Sequence, residues 1–205
     1  VEAARVLPHQ TLAKFNTQSC WASKTGLVYN VELATTCMVN CGQGYQGLSV
    51  QFMCIGGTPP GMEPYAEELR RHSAALDLNG VVHWLGGRSD VPRRMAGMDV
   101  LTLSSSFGEG FPNVIGEAMA TGVPCVVTDV GDSAYVVGEA GTVVPPRDPD
   151  ALAAAWECTL TMSPDEREKL CSSARSRVES LFSVGRMADE TLKVLERVTS
   201  RSRER

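Results

Sequence analysis

Apolar residues in this chain come in two rhythms. From Leu48 onward, short continuous apolar runs alternate with longer stretches that are apolar every third or fourth position. "LSVQFMCIGG", "VVHWLG", "DVLTLSSS", "VPCVVTD" and "GTVVPP" are of the first kind and read as buried strands. Between them, "MEPYAEELRRHSAALDLNG" reads as a helix with Pro64 in its first turn and Asn79-Gly80 as its stop. "SDVPRRMAGM" reads as a short helix, and "NVIGEAMATG" as a helix ended by Gly122. Asp148-Pro149 caps and opens another helix, "DPDALAAAWECTL". Strands alternating with helices over short connections predict an α/β fold, a parallel sheet covered by helices on both faces.

The last part is helical. Ser163-Pro164-Asp165-Glu166 has the spacing of a capping box, and Leu170, Ala174, Val178 and Leu181 form one apolar stripe behind it. Ser183 caps a final helix whose apolar side carries Met187, Val194 and Val198. The organisation expected is one nucleotide-binding unit over residues 1–162, with the helices of 163–205 packed on it. Residues 1–50 differ from the rest. They are poor in charge and rich in Asn, Gln, Thr and Cys. A short helix over "TLAKFNTQSCWA", a strand over "GLVYNVEL" and a loop at "NCGQGYQG" are the elements they suggest.

The chemistry concentrates where "LTLSSS" ends. In an open parallel sheet, ligands bind beyond the carboxyl ends of the strands, and "FGEGFPN" is the loop they would meet there. Gly108 and Gly110 let backbone approach a ligand closely. A helix starting near Asn113 directs free N–H groups, at Val114 to Gly116, toward that loop, an arrangement suited to phosphate. Glu117 follows one turn later and can accept hydrogen bonds from two vicinal hydroxyls, as an acidic residue does with ribose. Glu109 can do the same for a second polyol. A phosphate site flanked by two hydroxyl readers describes a nucleotide-sugar. The plainer alternative is that Glu117 complements the helix dipole, worth about 0.3–1 kcal/mol.

Composition narrows the classes. The chain is 43% hydrophobic and 21% charged with a net charge of -5, which argues against a nucleic-acid footprint. No apolar run approaches the roughly 20 residues of a membrane span. Seven cysteines at irregular spacing, with only Cys37 and Cys41 close together and no histidine beside them, suggest reduced thiols in the cytoplasm rather than a zinc site.

The run from Glu109 to Pro124, with its two glutamates separated by seven residues, resembles the E-x7-E motif of the large retaining glycosyltransferase family with the GT-B fold, family 4. The similarity extends from about Gly56 to Phe182 and is closest to bacterial transferases that build surface polysaccharides. It implies a Rossmann-like C-terminal half of a GT-B enzyme, the half that binds a nucleotide-sugar donor, most often a UDP-hexose. An acceptor domain would lie outside this sequence or on another subunit, the acceptor itself is not implied, and the chain by itself is expected to be inactive.

By the same resemblance Glu109 contacts the transferred sugar and Glu117 the ribose. Main chain around Gly110, Phe111, Pro112, Asn113 and Val114 holds sugar and diphosphate, and the loop carrying Arg88 and Val91 meets the base mostly through main chain. No metal or other cofactor is implied. A basic pair should flank the diphosphate. Here Arg5 stands at the first position, but the expected lysine is Gln10; Lys14 lies four positions later, and His9 is close by. That departure keeps a second function open, a stand-alone, non-catalytic nucleotide-sugar-binding module. A GT-B epimerase fits "EGFPNVIGEAMATG" less well than the transferases do.

Overall fold

The computed structural model describes residues 34–40, 49–58 and 60–203. The expected helix over 11–22, the strand over 26–33, and Arg5, His9, Gln10 and Lys14 lie outside the described residues.

Among the described residues six strands form one sheet: β1 (Ala34–Asn40), β2 (Ser49–Ile55), β3 (Val82–Gly86), β4 (Val100–Leu103), β5 (Cys125–Thr128) and β6 (Thr142–Val144). Their spatial order is β3-β2-β1-β4-β5-β6. Helices α1 (Glu63–Ala75), α2 (Val91–Met95), α3 (Asn113–Ala120), α4 (Ser133–Val137), α5 (Pro149–Leu160), α6 (Pro164–Leu181) and α7 (Val184–Arg203) fill the connections. Strands β2/β3, β4/β5 and β5/β6 pair in parallel, as the strand–helix alternation predicts.

Strand β1 does not follow that rule. It lies in the middle of the sheet and runs antiparallel to both β2 and β4. Only residues 41–48 separate it from β2, and Asn40 faces Ser49 across the pair. A return that short excludes the long crossover that parallel neighbours need. Because β1 opposes both neighbours, β2 and β4 run the same way. The carboxyl ends of β2 to β6 therefore share one edge.

Side chains alternate across a strand, and the chain uses the alternation to build two cores. Met53, Ile55, Leu101, Leu103, Cys125 and Val127 point to one face. They pack there with Met95 of α2, Ile115, Ala118 and Met119 of α3, Val136 and Val137 of α4, and Ala174 of α6. Phe52, Cys54, Val82, Val100, Val126 and Val144 point to the other face, against Leu69 of α1 and Leu152, Ala153 and Trp156 of α5. Trp156 is almost fully buried and donates its indole N–H to Thr102 of β4 at 2.8 Å.

Helix ends follow local chemistry. Asp148 accepts the Ala151 N–H at 2.9 Å and caps α5. Ser163 and Glu166 form the expected reciprocal capping box of α6. Helix α1 stops earlier than Asn79-Gly80. Leu78 N–H bonds to Ser73 carbonyl and Asp77 N–H to Ala74 carbonyl, with Asp77 at φ 55°. This is a Schellman ending with aspartate in the left-handed position where glycine is usual. Helix α4 is not among the elements read from the sequence; Asp132 stands at its N-cap without a side-chain cap bond, Gly138 ends it, and its own Ser133, Val136 and Val137 are buried.

Arg147, in the turn between β6 and α5, is also left-handed, at φ 61°. A side chain there crowds its own carbonyl, so Arg147→Gly should stabilise the fold by about 1 kcal/mol, after allowing for the greater freedom of glycine in the unfolded chain. Urea unfolding measures this directly; a midpoint that falls would show that the arginine side chain contributes more than its backbone costs.

Candidate nucleotide-sugar site

The loop after β4, residues 104–112, stands at the shared carboxyl edge, and α3 begins where it ends. Glu109 is half-buried in this loop, and Glu117 is exposed on α3, one turn beyond its start at Asn113. Both glutamates thus belong to the strand–loop–helix connection read from the sequence.

The loop is held at several points. Ser105 donates its hydroxyl to Oε1 of Glu109. Thr128, fully buried at the end of β5, donates to the Ser105 carbonyl at 2.6 Å. The Asp132 N–H donates to the Gly110 carbonyl at 3.0 Å. Gly131 presses its backbone on the same segment. A Cβ placed on it would lie 2.7 Å from the Glu109 carbonyl carbon and 2.8 Å from the Gly110 carbonyl oxygen. The segment after β5 is therefore part of the site's frame. Sequence reasoning missed it, and its one signal is Gly131, three residues past the end of an apolar strand; the structure gives that glycine a φ of 56°.

The residues expected to touch ligand divide. Gly110, Phe111 and Asn113 are exposed on the loop and the first position of α3. Pro112 is buried as the helix N-cap, and the Val114 side chain belongs to the core, which leaves its main chain alone for a ligand. Of the amides expected free at Val114 to Gly116, that of Ile115 is taken, donating to the Pro112 carbonyl at 3.1 Å. The geometry of a helix start leaves Asn113 and Val114 as the donors without an intrahelical acceptor.

The loop after β3 comes beside the loop after β2. Gly56 N–H donates to the Gly86 carbonyl at 3.0 Å, and a Cβ on Gly87 would sit 3.8 Å from Gly57. Arg88 lies here with its guanidinium committed to Asp90, Nε to Oδ1 at 2.6 Å and Nη2 to Oδ2 at 3.0 Å. Arg94 adds a third bond to Asp90 at 3.0 Å. The Arg88 hydrogen bond holds the Asp90 carboxyl down to about 2. Val91 opens α2 and packs its side chain on the core, so this loop offers main chain rather than a free cation.

Phe111 of the same loop stacks edge-on against Phe182, with ring centroids 5.4 Å apart. Tyr135 meets the same Phe182 ring at 5.7 Å. Arg177 of α6 bonds the Val136 carbonyl at 2.9 Å and the Tyr135 carbonyl at 2.6 Å. The end of α6 is thus tied to the site loop, while the apolar side of α7, with Val184, Met187, Val194, Leu195 and Val198, is exposed. Among the described residues no helix is long and apolar enough to cross a membrane, and none of the His, Cys, Asp and Glu side chains form a group able to hold a metal ion.

Comparison with known proteins agrees with this architecture. The chain is 34% identical over 133 residues to an MMP alpha-(1->4)-mannosyltransferase of Mycolicibacterium hassiacum, covering 62% of this chain and 32% of the mannosyltransferase. It superposes on Anabaena HepE, solved in complex with UDP and glucose, with a TM-score of 0.66 and 26% identity, over 70% of this chain and 39% of HepE. Sucrose-phosphate synthase from Thermosynechococcus elongatus gives a TM-score of 0.63 and 26% identity, over 72% of this chain and 38% of that structure. The chain therefore spans well under half the length of each of these relatives. The family model for glycosyl transferases group 1 matches residues 39–162, more than half of the sequence, and the chain belongs to that family.

Proposed function

We propose that this chain is the donor-binding half of a retaining glycosyltransferase of family 4, that Glu109 to Glu117 is its E-x7-E motif, and that it takes a UDP-hexose for the synthesis of a polysaccharide or glycoconjugate. One observation carries the reading: a half-buried carboxylate in the loop at the carboxyl edge and an exposed one on the helix that leaves that loop, with the helix start between them. The UDP and glucose named for HepE support the nucleotide and the sugar class. In this reading Glu117 accepts from the ribose hydroxyls and Glu109 from the transferred hexose. The amides of Asn113 and Val114, with the main chain of Gly110, Phe111 and Pro112, meet the diphosphate and sugar. Main chain near Arg88 and Val91 meets the base.

The proposal involves no metal. Charge that develops on the departing diphosphate falls on preoriented amides at the start of α3 and on a cation for which Arg5 is the candidate. The acceptor and the surface that binds it belong to a separate domain or subunit, and the enzyme works in the cytoplasm. The second reading, a non-catalytic nucleotide-sugar-binding module, is favoured by Gln10, a neutral group where a lysine would stand in a transferase.

Glu117→Ala should weaken UDP binding by one to two orders of magnitude, the worth of hydrogen bonds to a carboxylate at about 1.5–3 kcal/mol. Glu117 is exposed, so the melting temperature should hardly move. Isothermal calorimetry with UDP on both proteins tests this, and equal affinities would remove Glu117 from the site.

A further inference from the structure

We propose that Ser105 is a positioning residue for sugar recognition, and that it sets the Glu109 carboxylate from a platform supplied by Thr128. The inference rests on the reading of Glu109 as the hexose contact and assigns a role to two residues that the reading does not use. A glutamate on a loop has three side-chain torsions to restrain before it can read a hydroxyl. Here the Ser105 hydroxyl, four residues earlier in the same loop, donates to its Oε1. A carboxylate has about four acceptor sites on its two oxygens, so one bond to serine leaves Oε2 and part of Oε1 for sugar hydroxyls.

Ser105 is itself located by the sheet. Thr128 is fully buried, and its Oγ1 reaches the Ser105 carbonyl at 2.6 Å and the Leu103 carbonyl at a longer 3.4 Å. Leu103 closes β4 in register with Val127, the neighbour of Thr128 on β5. The line from the sheet to the carboxylate is thus Thr128 hydroxyl, Ser105 main chain, Ser105 hydroxyl, Glu109. The other side of the segment is clamped separately, by the Asp132 N–H on the Gly110 carbonyl. Removing the Ser105 hydroxyl therefore frees the carboxylate without freeing the loop. The reader of the sugar is loosened while the amides and Glu117, which read the nucleotide, stay in place.

The test is a titration of the 205-residue chain with two probes, UDP and UDP-glucose. Ser105→Ala should weaken UDP-glucose by roughly tenfold, the order of one hydrogen bond to a carboxylate, and UDP by less than about twofold. Ser105→Thr, which keeps a hydroxyl, should restore most of the difference. Glu109→Gln should show the same selective loss, and adding Ser105→Ala to it should cost nothing more, since two residues acting as a unit are not additive. A loss in Glu109→Gln with none in Ser105→Ala overturns the role of Ser105 and leaves the reading of Glu109 standing. A Ser105→Ala protein weakened equally toward both probes overturns it as well, by showing damage to the whole loop. If neither variant changes UDP-glucose binding, the reading of Glu109 falls and the inference falls with it.

Discussion

Gly131→Ala should weaken UDP-glucose binding at least tenfold and lower the melting temperature together, the largest functional effect of any change to a residue that touches no ligand. Two costs coincide at this position. Its φ of 56° is left-handed, which alanine adopts at a cost of about 1 kcal/mol. The new Cβ would also meet the Glu109 carbonyl carbon at 2.7 Å and the Gly110 carbonyl oxygen at 2.8 Å, with the Glu109 carbonyl oxygen closer still. These are backbone atoms, so no side-chain rotation relieves the contact. One loop must move away from the other, and overpacking of this kind costs about 1–3 kcal/mol more.

For a protein of this size the sum corresponds to a melting temperature lower by roughly 5–15 °C. The loop that moves carries Glu109, and the displaced bond is the Asp132 N–H to Gly110. Gly57→Ala, at another loop of the same edge with open space around its Cβ, is the matched control and should be close to neutral. Melting curves and UDP-glucose titrations of both variants decide the matter. A destabilised Gly131→Ala protein that bound UDP-glucose normally would separate this loop from the ligand.

The second large effect is on stability. Trp156→Ala should cost about 3–5 kcal/mol, the range for removing a large aromatic side chain from a core. Trp156 is 2% exposed and packs against Phe52 of β2, with ring centroids 5.2 Å apart. It joins α5 to β2 and β4 at once, through that ring contact and through the hydrogen bond to Thr102. Domains of this kind are stable by only about 5–15 kcal/mol, so the variant should stand near the edge of folding at physiological temperature.

Trp156→Phe separates the two contributions. It keeps most of the apolar surface and loses the indole N–H, for an expected loss of about 1–2 kcal/mol. Denaturant midpoints of both variants measure the difference. If phenylalanine cost as much as alanine, the hydrogen bond rather than packing would dominate. Trp156 lies in the middle of α5, outside the loops that frame the site, so UDP affinity of the folded Trp156→Phe protein should match that of the wild type.

What the sequence determined by itself are the features that a few neighbouring residues encode. Short apolar runs placed β2 to β6, strands of three to seven residues, and alternation along them chose which side chains face each core. The Ser163 and Glu166 box, the Asp148 cap and the stop at Gly122 are local signals too. The Glu109 and Glu117 pair was visible because a strand, a loop and a helix start follow one another in the chain.

Tertiary structure decided the features that join residues far apart. The antiparallel setting of β1 depends on which strands it lies between, and its own pattern does not state that. The bonds of Thr128 to Ser105 and of Asp132 to Gly110 exist because the parallel neighbours β4 and β5 bring together two loops more than twenty residues apart. The tie between Arg88 and Asp90 closes an ion pair in the loop after β3, and the Ile115 bond to Pro112 took an expected free amide. Aspartate, not glycine, ends α1 because Leu78 beyond it is drawn into the core, and that burial outweighs the cost of a left-handed Asp77. Periodicity and caps act over one or two turns of chain; the frame around Glu109 is made by strand order, which no local stretch contains.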